Sequence, residues 1–266
     1  MTGRPAMDLL AVEGLAKSYG GVGAVRGVSF ALAPGEVLAL IGPNGAGKST
    51  CFNMLNGQIR PDAGRIRLAG TDVTGMAPRR MAGLGVARSF QIAATFGSMT
   101  VRENVQAACL VHAGGMARPF GRADRRFRPE AERWLDHVGL LAQADRPAAE
   151  LAYGDVKRLE LAMALSGAPR LLLMDEPTAG MAPKERHGLM RATVDHARRN
   201  GIGLMFTEHD MDIVFTHADR VLVLSRGRLI AAGRPEAVRE DPDVRATYLG
   251  GGLTFAAAPG RTEAVS

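Results

Sequence analysis

Gly42-Pro43-Asn44-Gly45-Ala46-Gly47-Lys48-Ser49-Thr50 is the stretch of this chain whose residue types and spacing point most directly to chemistry. It fits G-x-x-x-x-G-K-[ST], which fixes four positions. With glycine at about 7% of residues, chance produces the pattern in a chain of this length on the order of once in 100. The glycines let the backbone turn so that successive N–H groups point inward at phosphate oxygens. A helix behind the loop adds its positive end. In such a loop Lys48 neutralises the β- and γ-phosphates, the Ser49 hydroxyl ligates Mg²⁺, and Thr50 contacts the α-phosphate side. The setting agrees: the apolar run Val37–Ile41 precedes the loop, and a segment able to form a helix follows it.

A second group stands at the end of another apolar run, Leu171-Leu172-Leu173-Met174-Asp175-Glu176. Strands often end in acids, so alone this says little. Beside a phosphate loop it reads as a metal and water site. Asp175 would hold Mg²⁺, directly or through water, and Glu176 would polarise the attacking water as general base. If the backbone stays extended through Glu176, the two side chains fall on opposite faces, which suits two jobs.

Such groups need rigid elements to hold them. Val28, Phe30 and Leu32 alternate with smaller residues, as on one face of a strand, and Pro34-Gly35 marks a turn before Val37–Ile41. A helix is expected to start near Lys48, and a short strand around 66–68 after the turn Pro61-Asp62-Ala63-Gly64. The first 75 residues thus read as short strands and turns, and 78–167 as mostly helical. Strands follow at 171–174, 202–206 and 221–224, with a helix over 183–199. The alternation predicts an α/β core with a helical insertion. Residues 112–129, rich in Gly and Arg, read as a solvated loop. The Gly-, Ala- and Pro-rich tail, 251–266, reads as disordered.

Composition sets the outer limits. The chain has 266 residues, 46% hydrophobic and 23% charged, which suits a folded globular protein. No run approaches the roughly 18 apolar residues of a membrane span. The start carries no apolar signal segment, and two cysteines, Cys51 and Cys109, make no disulfide framework, so a reducing cytosol is expected. The net charge of +6 permits an anionic partner without choosing one.

Further motifs fall in a definite order around the phosphate loop. Leu151-Ala152-Tyr153-Gly154-Asp155 lies shortly before the strand that ends in Asp175. Gln91 stands in Arg88-Ser89-Phe90-Gln91, His209 in Thr207-Glu208-His209-Asp210, and Tyr19 upstream of the loop. In isolation a loop glutamine or a histidine after a strand is usually an ordinary solvated side chain. In this order they resemble an ATP-binding cassette (ABC) ATPase over about residues 8–250. The resemblance implies a P-loop NTPase fold: a RecA-like α/β core with an antiparallel β subdomain and an inserted helical subdomain at about 92–168. It also implies that Tyr19 stacks on adenine, that Gln91 senses Mg²⁺ and the attacking water, and that His209 contacts the γ-phosphate. The signature Leu151, Ala152, Tyr153 and Gly154 would close over ATP held by a second cassette paired head to tail, so a homodimer or heterodimer is expected.

Three positions depart from the family pattern L-S-G-G-Q and S-A-L-D. Ala152 replaces a serine and removes one hydroxyl donor to a γ-phosphate. Asp155 replaces a glutamine and sets an acid near another chain's phosphates. Ala182 stands where an aspartate is usual. Lys48, Glu176 and His209 remain, so hydrolysis is still expected.

Local wording narrows the resemblance. Arg158-Leu159-Glu160 after the signature, Ala87-Arg88-Ser89-Phe90-Gln91, Met99-Thr100-Val101-Arg102-Glu103-Asn104-Val105, Glu208-His209-Asp210-Met211 and the ending from Asp241 to Gly250 resemble bacterial uptake transporters for branched-chain and hydrophobic amino acids. That branch implies a peripheral ATPase on the cytoplasmic face of the inner membrane. Its partners would be transmembrane permeases, a second ATPase and, indirectly, an extracytoplasmic solute-binding protein. Urea, short amides or aromatic acids are the alternative solutes. A nucleic-acid ATPase is a different class, but its coiled coils, zinc modules or tandem cassettes are not seen, so no nucleic-acid partner is expected. Glu176 argues against a nucleotide-binding regulator that does not hydrolyse.

Overall fold

All five residues of β3 (Val37–Ile41) are apolar and buried, and a strand apolar on both faces needs cover on both. The computed structural model describes residues 8–89, 95–113 and 123–249, and places β3 inside a six-stranded sheet. Its order is β10-β9-β3-β8-β7-β6, built from β6 (Val86–Ser89), β7 (Leu171–Asp175), β8 (Gly203–Thr207), β9 (Arg220–Ser225) and β10 (Arg228–Gly233). The pairs β9–β3, β3–β8, β8–β7 and β7–β6 are parallel, and β10 runs antiparallel to β9.

Alternation along these strands feeds two cores. Val37, Ala39, Ile41, Leu172, Met174, Leu204, Phe206, Val221 and Val223 enter one. Leu38, Leu40, Leu171, Leu173, Met205, Leu222 and Leu224 enter the other. The first core is closed by α3 (Val101–His112), α4 (Ala123–His137), α5 (Tyr153–Leu165) and α6 (Pro183–Asn200). The second lies under a four-stranded antiparallel sheet of order β2-β1-β4-β5, made of β1 (Leu10–Tyr19), β2 (Val22–Leu32), β4 (Ala63–Leu68) and β5 (Thr71–Asp72). Helix α1 (Lys48–Leu55) puts Cys51, Phe52, Met54 and Leu55 into that second core. Each large side chain buried this way contributes about 1.5–3 kcal/mol. Three shorter helices complete the described chain: α2 (Pro78–Gly83), α7 (Met211–His217) and α8 (Pro235–Glu240), with α9 (Pro242–Leu249) at its end.

The strand and helix expectations correspond to β2, β3, β4, β7, β8, β9, α1 and α6, within a few residues at the ends. Within the mostly helical span 78–167, the four residues of β6 pair with β7 at the sheet edge; pairing across the fold decides so short a run. Two readings need correction. Strands β1 and β2 are long rather than short, 10 and 11 residues, joined with register shifts that hide their alternation. Residues 123–129, expected as loop, form the first half of α4. Phe127, Ala131, Trp134, Leu135 and Val138 are buried at helical spacing, and the apolar face begins only at Phe127. The tail and 114–122 lie outside the described residues. None of the described helices is long and apolar enough to cross a membrane.

Helix α4 meets α6 through aromatic rings. Trp134, His137 and His196 pack edge to face, with the two imidazole centroids 4.7 Å apart. Burial first, and then the guanidinium of Arg199, hold His137 below the ordinary histidine range, against the pull of Asp136. Burial, His137, Arg199 and Arg133 do the same to His196. Both rings therefore resist protonation in the folded protein, while the unfolded chain takes up those protons near pH 6.5. Their contribution is present above that pH and is lost as acid protonates the folded rings. The thermal midpoint is expected to fall between pH 7 and pH 5, and to fall less in a His137→Gln/His196→Gln variant. A midpoint that stays flat or rises over that range contradicts this account.

Candidate nucleotide-binding site

Because β3, β7 and β8 are parallel, their carboxyl ends share one edge of the sheet, the usual place for a ligand in such folds. The chain leaves β3 at Gly42, β7 at Glu176 and β8 at Glu208, so the phosphate-loop pattern, the paired acids and His209 meet there.

The loop after β3 is held by its backbone. Gly42 and Gly47 have φ of 154° and 106°, and a Cβ would stand 2.2 Å from the Leu224 carbonyl oxygen at the first and 2.3 Å from that of Ala24 at the second. Only glycine fits between β9 and β2 at these points. Pro43 accepts from the Ala46 N–H at 3.1 Å, closing the turn around Asn44 and Gly45, which are exposed. Gly47 is also the N-cap of α1 and makes no side-chain cap bond, so the first-turn amides have no capping side chain from that position. Lys48 is buried and donates to the carbonyls of Gly42 at 2.7 Å and Pro43 at 3.2 Å, folding the loop around its ammonium. Burial holds that ammonium below the usual lysine range, while Glu176 and Asp175 pull it back up. Ser49 is exposed and Thr50 half-buried. Tyr19 is 48% exposed at the end of β1, on the hairpin whose second strand supports Gly47, with Lys17 Nζ 5.8 Å from its ring centroid.

Asp175 is only 4% exposed. It accepts from the Thr207 hydroxyl at 2.7 Å and from the Arg88 guanidinium at 3.0 Å. The chain does not stay extended after it: Glu176 has φ of 49°, so simple alternation does not set its direction. A non-glycine residue there costs about 1–3 kcal/mol unless held. It is held, since its N–H donates to both the carbonyl and the hydroxyl of Thr207 at 3.1 Å. The Glu176 carboxylate then lies 2.9 Å from His209 Nε2. An ionised carboxylate only accepts, so Nε2 carries the hydrogen of that bond. Gln91 lies outside the described residues.

Other contacts bind these loops together, and no spacing in the sequence marks them. Buried Glu208 accepts from the Thr178 N–H at 2.9 Å and its hydroxyl at 2.7 Å. Arg186 donates to the Met181 carbonyl at 2.7 Å and to Asp210 at 2.8 Å. These bonds tie the segment after Glu176 to the one before α7. Ala182 is the N-cap of α6, with Pro183 in the first turn and Glu185 three residues on, and has no side chain to cap it. Ala182→Ser completes a capping box and is expected to stabilise by about 1 kcal/mol. That raises the melting temperature by about 2–4 °C; an unchanged or lower midpoint by calorimetry contradicts the capping geometry.

Leu151 and Ala152 lead into α5, whose first turn starts at Tyr153, with Ala152 as an N-cap lacking a side-chain bond. Tyr153 is 52% exposed and lies over Gly180, where an added Cβ would stand 2.9 Å from its ring. A Cβ on Gly154 would stand 3.6 Å from Met181. This segment thus touches the loop that runs on from Glu176. The Asp155 carboxylate is already engaged by its own chain: Gln143 donates to it at 2.8 Å, and Arg158 lies 3.8 Å away.

As for a metal, no group of three or more His, Cys, Asp or Glu among the described residues could hold one alone. A buried carboxylate at Asp175 and an exposed hydroxyl at Ser49 are ligand types that fit Mg²⁺, which takes one or two protein ligands and completes its shell with phosphate and water.

Comparison with known proteins gives the same picture. A family model described as ABC transporter matches residues 25–179, more than half of the chain. A second, described as Branched-chain amino acid ATP-binding cassette transporter, matches 228–254. The chain is 40% identical to the high-affinity branched-chain amino acid transport ATP-binding protein LivG of Escherichia coli K12, over 92% of this chain and 99% of that one. It is 39% identical to the corresponding BraF of Pseudomonas aeruginosa, over 91% and 98%. The ADP conformation of MJ1267, an ATP-binding cassette of an ABC transporter, superposes with a TM-score of 0.82 at 31% identity, over 92% and 99%. With matches that span nearly its whole length, the chain belongs to the ABC transporter family, as one of its nucleotide-binding ATPase cassettes.

Proposed function

We propose that this chain is the ATP-hydrolysing subunit of a bacterial importer for branched-chain or other hydrophobic amino acids. One cassette would occupy residues 8–250, with its helical part at about 92–168. Residues 42–50 wrap the phosphates and Lys48 neutralises them, giving up its two carbonyl partners. Tyr19 supplies a face for adenine. Ser49 and Asp175, with Gln91, would hold Mg²⁺, which would supply positive charge against the phosphates. Glu176 takes a proton from the attacking water, and His209, whose Nε2–H aims Glu176, stands where it would meet the γ-phosphate. Leu151, Ala152, Tyr153 and Gly154 present the start of α5 to nucleotide on a second cassette. The dimer would sit on the cytoplasmic face of the inner membrane under permease subunits that an extracytoplasmic binding protein loads.

The observation that carries this reading is the 2.9 Å contact of Glu176 with His209 at the edge that also holds Lys48 and Asp175. Support for the solute is the similarity to LivG and BraF and the match at 228–254. The test is purification of the tagged chain from its own membrane. Two permeases and a second cassette are expected to come with it. Recovery bound to nucleic acid, or with no membrane protein, contradicts the reading.

A further inference from the structure

Arg88 lies on β6, three residues before Gln91, and its side chain is 11% exposed. One amino group donates to Asp175 at 3.0 Å, and the other donates to Asn53 at 2.5 Å and to Gln58 at 3.2 Å. Its Nε is buried without a partner. The other oxygen of Asp175 is taken by Thr207. The carboxylate assigned above to Mg²⁺ therefore already has a cation on it. A guanidinium and a divalent ion cannot share one buried carboxylate oxygen without strong repulsion. Arg88 has somewhere to stay when it lets go, because Asn53 and Gln58 hold its other amino group. Arg88 also borders a groove of about 460 Å³, shared with Ala87, Phe96, Ala108 and Met163, between the sheet edge and α3 and α5.

We propose that Arg88 is a positioning residue that exchanges with Mg²⁺ on Asp175. Metal-free, it holds the buried carboxylate in place. When metal loads with nucleotide, Asp175 releases Arg88, which remains on Asn53 and Gln58. Metal loading is thereby registered on β6 and at the wall of the groove. The inference rests on the proposed nucleotide site.

The test is Mn²⁺ binding, read by electron paramagnetic resonance, to the full chain loaded with a non-hydrolysable ATP analogue. Arg88→Met removes the competing cation and is expected to tighten Mn²⁺ about tenfold, the equivalent of one charge-assisted hydrogen bond. Arg88→Lys restores a cation and returns the affinity toward wild type. Unchanged or weaker Mn²⁺ binding in Arg88→Met overturns the proposal. The wild-type chain gives a second readout if that variant does not fold. The Arg88 guanidinium nitrogen resonance is expected to shift when Mg²⁺ joins the analogue and not with the analogue alone; a resonance unmoved by Mg²⁺ overturns the exchange. Analogue binding that Lys48→Ala leaves unaltered would instead sink the site itself, so the two failures are distinguishable.

Discussion

Replacing Glu176 by glutamine leaves ATP binding intact and lowers turnover by about 10²–10⁴-fold, the usual range for loss of a general base. The amide has the same size and can still accept from His209 Nε2 through its oxygen, as the carboxylate does at 2.9 Å. The bonds that the Glu176 N–H donates to Thr207, which hold the left-handed backbone there, involve no side-chain oxygen of Glu176 and survive. What is lost is the lone pair basic enough to take a proton from water. With hydrolysis stopped, ATP is expected to trap two cassettes as a stable dimer, visible by size-exclusion chromatography. Turnover within a few-fold of wild type, measured as phosphate release from the assembled complex, removes Glu176 from the mechanism.

Lys48→Ala acts one step earlier. It is expected to weaken ATP binding by about 10–100-fold, the scale of one charge-assisted hydrogen bond, and to abolish turnover. The ammonium is the cation aimed into residues 42–50, and it is also what the carbonyls of Gly42 and Pro43 close upon. Its removal leaves those carbonyls short of a donor, which costs about 1–3 kcal/mol of stability where they are shielded from water. Circular dichroism should therefore accompany the calorimetric titration. A folded variant with unchanged affinity contradicts the phosphate site.

Much of the core was legible because its signals are local. The apolar runs of β3 and β7 and the glycine spacing at 42–50 need no distant partner to be read. The order of the motifs carried the family, which the matches over nearly the full chain show. The rest depends on contacts across the fold. Arg88 meets Asp175 from 87 positions away, and Thr178 meets Glu208 from 30. No spacing rule reaches that far. Four residues at β6 became a strand only because β7 was there to pair with them. The kink at Glu176 depends on Thr207, a residue of another strand. Asp155 was read as facing a partner's phosphates, yet Gln143 and Arg158 engage it within the chain. Local sequence shows the acid but not the side chains around it.

The central claim is that ATP turnover at this site drives import. The direct measurement is uptake of radiolabelled leucine into proteoliposomes that hold this chain, its co-purified permeases and partner cassette, with nucleotide supplied to the cassette side and binding protein to the other. Uptake is expected with Mg²⁺ and ATP, and to be absent with ADP or with Glu176→Gln. Leucine uptake at the same rate with ADP, or with the Glu176→Gln chain, would contradict it.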